Sequence, residues 1–367
     1  MRRISLNLLV FLSMAFMMPA MAQGAGNGTA TSCSGSGNGT GSCGETGNGT
    51  GRVNDVVRSV SRQVGMVSVT NTVTTIMART NMVQTSGGFF SPGSGATGKS
   101  SGTGSGATGK SSGNGDVGAG GWIMVNGYYL DKSGNTSYHG DTYSLTGGFD
   151  KRFEELLLGI SVGGEWTDLR LSNSGKYKIQ GVTIAPYANY VFQDNLMFDL
   201  TVGYSNVTND LLLRDDNADK VEADFDSWRV FTAGGATGLW ELEEWRFSAR
   251  LGALYLHQSD GGFNPKYTPS GGSVQFMDKV EDSNFDLFQM QIGGRVGYDL
   301  GKFMPFVGVT YYQDVNKTGS NDDTAGADFD LGLNWKDGPV TAGITGTYGI
   351  REDFQKAGGM LNFRYDF

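Results

Sequence analysis

The sequence predicts an all-β fold over its last two thirds: a transmembrane antiparallel up-and-down β-barrel of about twelve strands across residues 121–367. Three observations predict it. Apolar and polar residues alternate through a series of segments, each long enough to cross a membrane when tilted. The connections between those segments are short and long by turns. The chain opens with an export signal.

Alternation carries most of the argument, because successive side chains of a strand point to opposite faces. In residues 196–205, Leu196, Phe198, Leu200, Val202 and Tyr204 share one face, and Met197, Asp199, Thr201, Gly203 and Ser205 the other. Residues 327–336 set Ala327, Phe329, Leu331, Leu333 and Trp335 against Asp328, Asp330, Gly332, Asn334 and Lys336. Residues 340–350 set Val340, Ala342, Ile344, Tyr348 and Ile350 against Thr341, Gly343, Thr345, Thr347 and Gly349. In 156–166, Leu156, Leu158, Ile160, Val162 and Trp166 oppose Gly159, Ser161, Gly163 and Glu165. Strands of this kind are expected near 121–131, 140–152, 156–168, 176–192, 196–208, 222–239, 245–258, 284–300, 303–313, 326–336, 339–350 and 356–367.

Tight connections are expected at Phe153–Glu155, Gln193–Asn195, Trp240–Glu244, Gly301-Lys302 and Asp337-Gly338, and longer polar ones at 209–221, 259–283 and 314–325. Outer-membrane barrels pair short periplasmic turns with longer outside loops, and an even strand number leaves both barrel ends in the periplasm. Trp122, Tyr128, Tyr143, Phe149, Trp166, Tyr190, Phe192, Trp240, Trp245, Tyr255, Tyr298, Tyr311 and Trp335 fall near strand ends, as girdles at the two interfaces require. Lumen-side Glu165, Asp199, Arg246, Arg250, Asp328, Asp330 and Arg364 are expected to form a salt-bridged interior, since unpaired charges facing lipid are costly. The outside loops hold Asp215, Asp216, Asp219, Asp322 and Asp323, whose ordinary role is solvation.

Upstream of the barrel the composition changes four times. Residues 1–22 read as a signal peptide: Arg2-Arg3, an apolar stretch from Ile4, then Pro19 and the small residues Ala20 and Ala22 before cleavage at Gln23. Residues 23–51 are Gly, Ser, Thr and Asn with almost nothing to bury in a core. Residues 52–85 regain apolar side chains, with Val53, Val56, Val57, Val60, Val64 and Val67 at helical spacing, an Asn54-Asp55 start and Gly87-Gly88 beyond the end. The Thr- and Val-rich half from Val69 to Met82 lowers helix propensity, so a strand or irregular chain is the alternative there. If helical, this segment is a candidate to plug the pore. Residues 86–120 are a Gly/Ser-rich linker.

The remaining motifs point away from chemistry. Gly93–Ser100 and Gly104–Ser111 both match the phosphate-binding loop G-x-x-x-x-G-K-[ST], but that loop works between a buried strand and a helix N-terminus. Here the match is duplicated inside a low-complexity repeat. Cys33 and Cys43, in an exported chain, are expected to form a disulfide. Barrel enzymes need a His with Ser or carboxylate partners. His139 with Asp141, and His257 with Ser259 and Asp260, sit where strands meet long loops and read as solvated positions. The chain is therefore read as no enzyme, with no catalytic, metal or cofactor residue nominated. The net charge of −9 argues against a nucleic-acid partner.

At the end of the chain, Leu361, Phe363, Tyr365 and Phe367 alternate with Asn362, Arg364 and Asp366. Phe363, Tyr365 and the terminal Phe367 resemble the signal read by the outer-membrane insertion machinery. With the signal peptide, secreted N-terminal part and candidate helix, the chain resembles a monomeric autotransporter of type V secretion. That resemblance implies a barrel that inserts by its C-terminal strand and exports or displays its own N-terminal passenger through the pore. The partners it implies are outer-membrane lipid, the insertion machinery and periplasmic chaperones, with the barrel a monomer. An alternative reading is a surface barrel whose long loops bind host or neighbouring-cell ligands; another is a passive pore. Two features depart from the family pattern. The passenger is very short, and the linker 86–120 separates the helix from the first strand.

Overall fold

The computed structural model describes residues 48–85, 118–134, 136–172, 175–192, 195–214, 219–318 and 324–367. The signal peptide with Ala20 and Ala22, the Cys33 and Cys43 pair, both phosphate-loop matches, and Asp215, Asp216, Asp322 and Asp323 lie outside the described residues.

Among the described residues one helix, α1 (Asn48–Thr85), precedes the strands β1 (Ala119–Lys132), β2 (Tyr138–Phe153), β3 (Leu156–Leu171), β4 (Gly175–Phe192), β5 (Leu196–Arg214), β6 (Lys220–Leu242) and β7 (Trp245–Asp260). Two short strands follow, β8 (Lys266–Thr268) and β9 (Gln275–Phe276). Then come β10 (Ser283–Tyr298), β11 (Phe303–Lys317), β12 (Ala325–Asp337), β13 (Val340–Arg351) and β14 (Phe354–Asp366). All but β8 and β9 pair with their neighbours in chain order, and β1 pairs with β14, so twelve antiparallel strands close into a barrel. At the seam Gly121 faces Tyr365 and Ile123 faces Phe363, and the Phe367 amide donates to the Ala119 carbonyl at 2.9 Å.

The burial pattern is that of a barrel in lipid. Val162 and Leu331, at the middle of their strands, are 54 % and 66 % exposed, while lumen-side Thr201 and Asn209 are 2 % and 0 % exposed. All four alternating segments follow their expected faces. Most of the aromatic residues expected in girdles point outward, among them Tyr143, Phe149, Trp166, Tyr190, Phe192, Trp245, Tyr255 and Tyr311. Trp122 and Tyr128 do not: both are buried in the lumen, on the face β1 shares with Met124 and Asn126. On β1 it is Ile123, Val125 and Tyr129 that face outward, while Trp122 and Tyr128 pack in the two apolar clusters that the helix joins.

The short turns lie where expected. Gly301 and Gly338 take positive φ values of 83° and 58°, a conformation that favours glycine, in the β10–β11 and β12–β13 turns. At the opposite end the strands run longer than a bilayer needs: β6 has 23 residues against the ~9–11 that cross hydrocarbon. The expected loop 259–283 is partly structured there. β8 pairs with the projecting end of β6, and β9 pairs with β8. Phe263 stacks on Phe225 at 4.7 Å and bridges Val280. Asp219 accepts from the Tyr267 hydroxyl and, at 2.7 Å, from the Ser270 amide; these donors hold its carboxyl below the usual range. Strands of two or three residues are too short for alternation to reveal.

Val162→Arg places a charge on the lipid face near mid-strand and is expected to cost about 2–4 kcal/mol. Urea titration of the barrel refolded in vesicles measures it, and Thr201→Ser on the lumen face serves as the near-neutral control.

Candidate functional site

Buried polar groups from many strands converge in the lumen, and α1 occupies it. Val53, Val57, Val60, Val64 and Val67 are buried with Leu130, Tyr138, Leu169, Leu171 and Tyr177, residues flanking the long loops. Further along, Met66, Val69, Val73, Ile76 and Ala78 are buried with Trp122, Met124, Leu157, Tyr187 and Val191, residues near the short turns. The helix therefore runs down the barrel from the long-loop end to the short-turn end. It begins at Asn48, ahead of the expected Asn54-Asp55 start. The weak propensity of its Thr- and Val-rich half is overridden, because side chains on nearly every face of the helix find partners in the wall.

A polar seam joins helix and wall. Arg229 on β6 is fully buried; its Nη1 donates to Glu165 Oε1 on β3 at 2.6 Å, and its Nε to Gln258 Oε1 on β7 at 2.9 Å. Gln258 Nε2 donates to Ser61 Oγ of the helix at 2.5 Å and to Asp260 at 2.7 Å. Ser61 donates in turn to Asp260 at 3.1 Å, and Ser68 donates to Glu165. Lower in the barrel Asn126 Nδ2 donates to Thr75 Oγ1 at 2.8 Å. The wall continues the network through Ser227, Asn209 and Tyr177. Buried charge is expensive unless paired and hydrogen-bonded. Here one guanidinium is matched by a carboxylate and an amide oxygen.

Most of the lumen charges expected from sequence are paired. Arg250 Nη2 donates to Asp199 at 2.8 Å, Lys356 binds Asp328 at 2.8 Å, and Arg364 binds Asp150 at 3.1 Å. Asp330 accepts from Thr347 at 2.7 Å, and Arg246 meets Asp299 at 3.1 Å near the short-turn rim. Sequence reasoning missed Arg229, Asp150, Lys356, and the Arg351–Asp314 pair at 3.1 Å. Arg229 shares its face with Phe225 and Phe231, which are also inward, so a rule of polar-in and apolar-out could not single it out.

Neither His assembles the residues placed beside it by sequence. His257 points outward and bonds Asp286 of β10 at 2.8 Å, whereas Asp260 points inward to Ser61 and Ser227. His139 and Asp141 are both exposed on the outer face of β2. Phe363, Tyr365 and Phe367 line the outer face at the barrel seam, where Phe367 packs against Tyr365 at 6.1 Å and Phe149 at 5.8 Å.

Comparison with known proteins agrees with this geometry. The family described as "Autotransporter beta-domain" matches residues 121–360, and the chain belongs to that family. Among solved structures it is similar to the translocator domain of the autotransporter NalP from Neisseria meningitidis, with a TM-score of 0.59 at 12 % identity, covering 68 % of this chain and 88 % of that one. It is also similar to the β domain of the Bordetella autotransporter BrkA, with a TM-score of 0.54 at 17 % identity, covering 67 % of this chain and 98 % of that one. Identities this low support the fold. No curated protein sequence matches. The chain thus carries an autotransporter translocator barrel, of a class that sits in the bacterial outer membrane and is matched to translocators rather than enzymes.

Arg229→Ala leaves Glu165 buried without its cation and is expected to destabilise the barrel by about 3–5 kcal/mol. Equilibrium unfolding in lipid vesicles reads it, and pairing the change with Glu165→Leu should recover most of the loss.

Proposed function

We propose that this barrel exports or displays its own short N-terminal passenger, residues 23–51. The observation that carries the reading is the direction of α1. Its N-terminal half lies toward the long-loop end and its C-terminal half toward the short-turn end, where β1 also begins. With short turns in the periplasm, the N-terminal end of α1 faces the outside, and its C-terminal end lies on the periplasmic side, the side on which β1 begins. Signal-peptide cleavage after Ala22 would free the passenger end, and a Cys33–Cys43 disulfide would form in the oxidising periplasm or beyond. In this reading the passenger spans 23–51, its last residues from Asn48 already in the first turn of α1, and the linker 86–120 and the barrel 121–367 follow the helix.

Insertion is assigned to the aromatic C-terminal strand. Phe363, Tyr365 and Phe367 stand outward on the strand that closes the barrel, free to be read before closure by the insertion machinery after delivery by periplasmic chaperones. A monomer suffices, because the lumen is filled by the chain's own helix. A second reading, a binding role for the outer loops, is favoured by Val274 and Phe276, which stand 57 % and 72 % exposed on and beside β9. Host or neighbouring-cell ligands are the occupants this reading names.

A peptide tag inserted at residue 30 is expected to be labelled by antibody and shaved by protease on intact cells. A tag protected until the outer membrane is permeabilised would sink the export reading. Replacing Phe363, Tyr365 and Phe367 together with Ala is expected to cut the heat-modifiable, membrane-inserted fraction several-fold. Unchanged insertion would remove the signal from these residues.

A further inference from the structure

Gly65 is the only glycine of α1 beyond Gly51. Mid-helix glycine is unfavourable, so its place there calls for a reason. The structure supplies one. A Cβ at this position would overlap Gln258 Oε1 and stand 3.3 Å from Arg229 Nε, both side chains being held by buried hydrogen bonds. Arg229, Gln258 and Glu165, drawn from β6, β7 and β3, form a shelf on the wall of the lumen. The helix backbone comes against that shelf at Gly65. Ser61 lies about one turn before Gly65 and Ser68 about one turn after it, so Ser61, Gly65 and Ser68 share a face. The two hydroxyls bond the shelf itself, Ser61 with Gln258 and Asp260 and Ser68 with Glu165.

We propose that this seam is a register stop: it sets how much of the chain the barrel passes outward before α1 seats. It rests on the export reading and adds the residues that end the movement. Displacing the helix by one turn brings Ser61 or Val69 against the shelf, and displacing it by two brings Arg58 or Thr72; each carries a Cβ that would have to push Gln258 Oε1 out of its hydrogen bond with Arg229. The same displacements carry Ser61 and Ser68 away from their acceptors. The segment ahead of the stop, 23–51, is rich in glycine and small polar residues and has no comparable apolar face with which to seat. The register with Gly65 on the shelf is therefore the one that satisfies both the sterics and the hydrogen bonds.

Cysteine cross-linking in the full chain, with Cys33 and Cys43 replaced by Ser, tests this. One cysteine at Asn126, a wall residue outside the shelf that bonds Thr75 at 2.8 Å, is paired in turn with one at Ser68, Asn71 or Thr75. In the otherwise native helix, the Thr75→Cys pair is expected to cross-link at least tenfold more than the other two. The double change Gly65→Leu and Arg58→Gly moves the glycine seven residues toward the N-terminus. It should transfer the dominant cross-link to Ser68→Cys. A dominant cross-link that stays at position 75 would overturn the proposal, as would equal cross-linking at all three sites in the native helix. Glu165, Arg229 and Gln258 are kept native throughout, and heat-modifiability confirms that each variant folds. Surface labelling of the tag at residue 30, scored on the same cells, separates the two claims. A tag that never reaches the surface counts against export, whereas a cross-link that fails to follow the glycine counts against the stop.

Discussion

Closure of the sheet is the constraint on which everything else in this molecule depends. In hydrocarbon no water is available to an unpaired backbone group, so a sheet with an open edge cannot persist there. The pairing of β1 with β14 removes that edge through a register running from Gly120–Asp366 to Lys132–Phe354. It brings the first and last strands of the domain together and sets the interior circumference. It also dictates which side chains face lipid, because one residue of slippage would turn every strand inside out. The outward aromatic residues at the C-terminus sit on this closing strand, so the chemistry that makes Phe363 and Tyr365 lipid-facing in the finished barrel also leaves them accessible before the seam forms.

A twelve-strand wall encloses more space than its own side chains fill. In this protein the remaining space is taken by a helix from the same chain, and the lumen is consequently neither a water channel nor a uniform apolar core. Its two ends hold apolar clusters of helix and wall residues, and between them lies the charged seam around Arg229. Aromatic rings of the wall reach inward over small neighbours: the Tyr187 ring lies where a Cβ at Gly159 would be, and its hydroxyl links Trp122 to Asp150. Arg364 completes that chain by binding the same carboxylate. The wall is thereby cross-braced by side chains as well as by its backbone ladder.

Much of this was legible in the sequence. Lipid-facing alternation is a period of two repeated over ten or more residues, and a pattern that long fixes strand phase, turn positions and overall class. The salt-bridged interior followed from the same phase, since Glu165, Asp199 and Arg364 had nowhere else to point. What could not be read depends on the third dimension. Trp122 and Tyr128 looked like girdle residues, because composition near a strand end does not say which face meets the helix. Arg229 hid among inward phenylalanines. The loop around β8 and β9 folds by docking Phe263 and Tyr267 on the projecting end of β6, and no local pattern announces a contact of that kind. Gly65 sits in a valine-rich stretch where nothing local accounts for it. Its purpose appears only when Gln258, almost two hundred residues later in the chain, is brought against it.

The composition of α1 follows from the two demands placed on it. A helix that fills a pore permanently would be best anchored by large rings, as the wall is. From Val53 to Ala78 the helix uses none: its apolar side chains are valine, isoleucine, methionine and alanine, and its longest polar ones, Arg58, Arg62 and Gln63, are unbranched and flexible near the chain. Small and β-branched side chains lower intrinsic helicity, yet on the export reading they spare the segment bulky rings that would jam in a lumen lined by Trp122, Tyr187 and Phe231. Affinity for the seated position must then come from a few directional contacts rather than from bulk burial. Hydrogen bonds suit that task, because they are satisfied in one register and lost within an ångström or two of it. On the export reading proposed above, the polar seam and the ring-free helix are thus two sides of one requirement, that the same segment travel through the barrel and come to rest at a defined place.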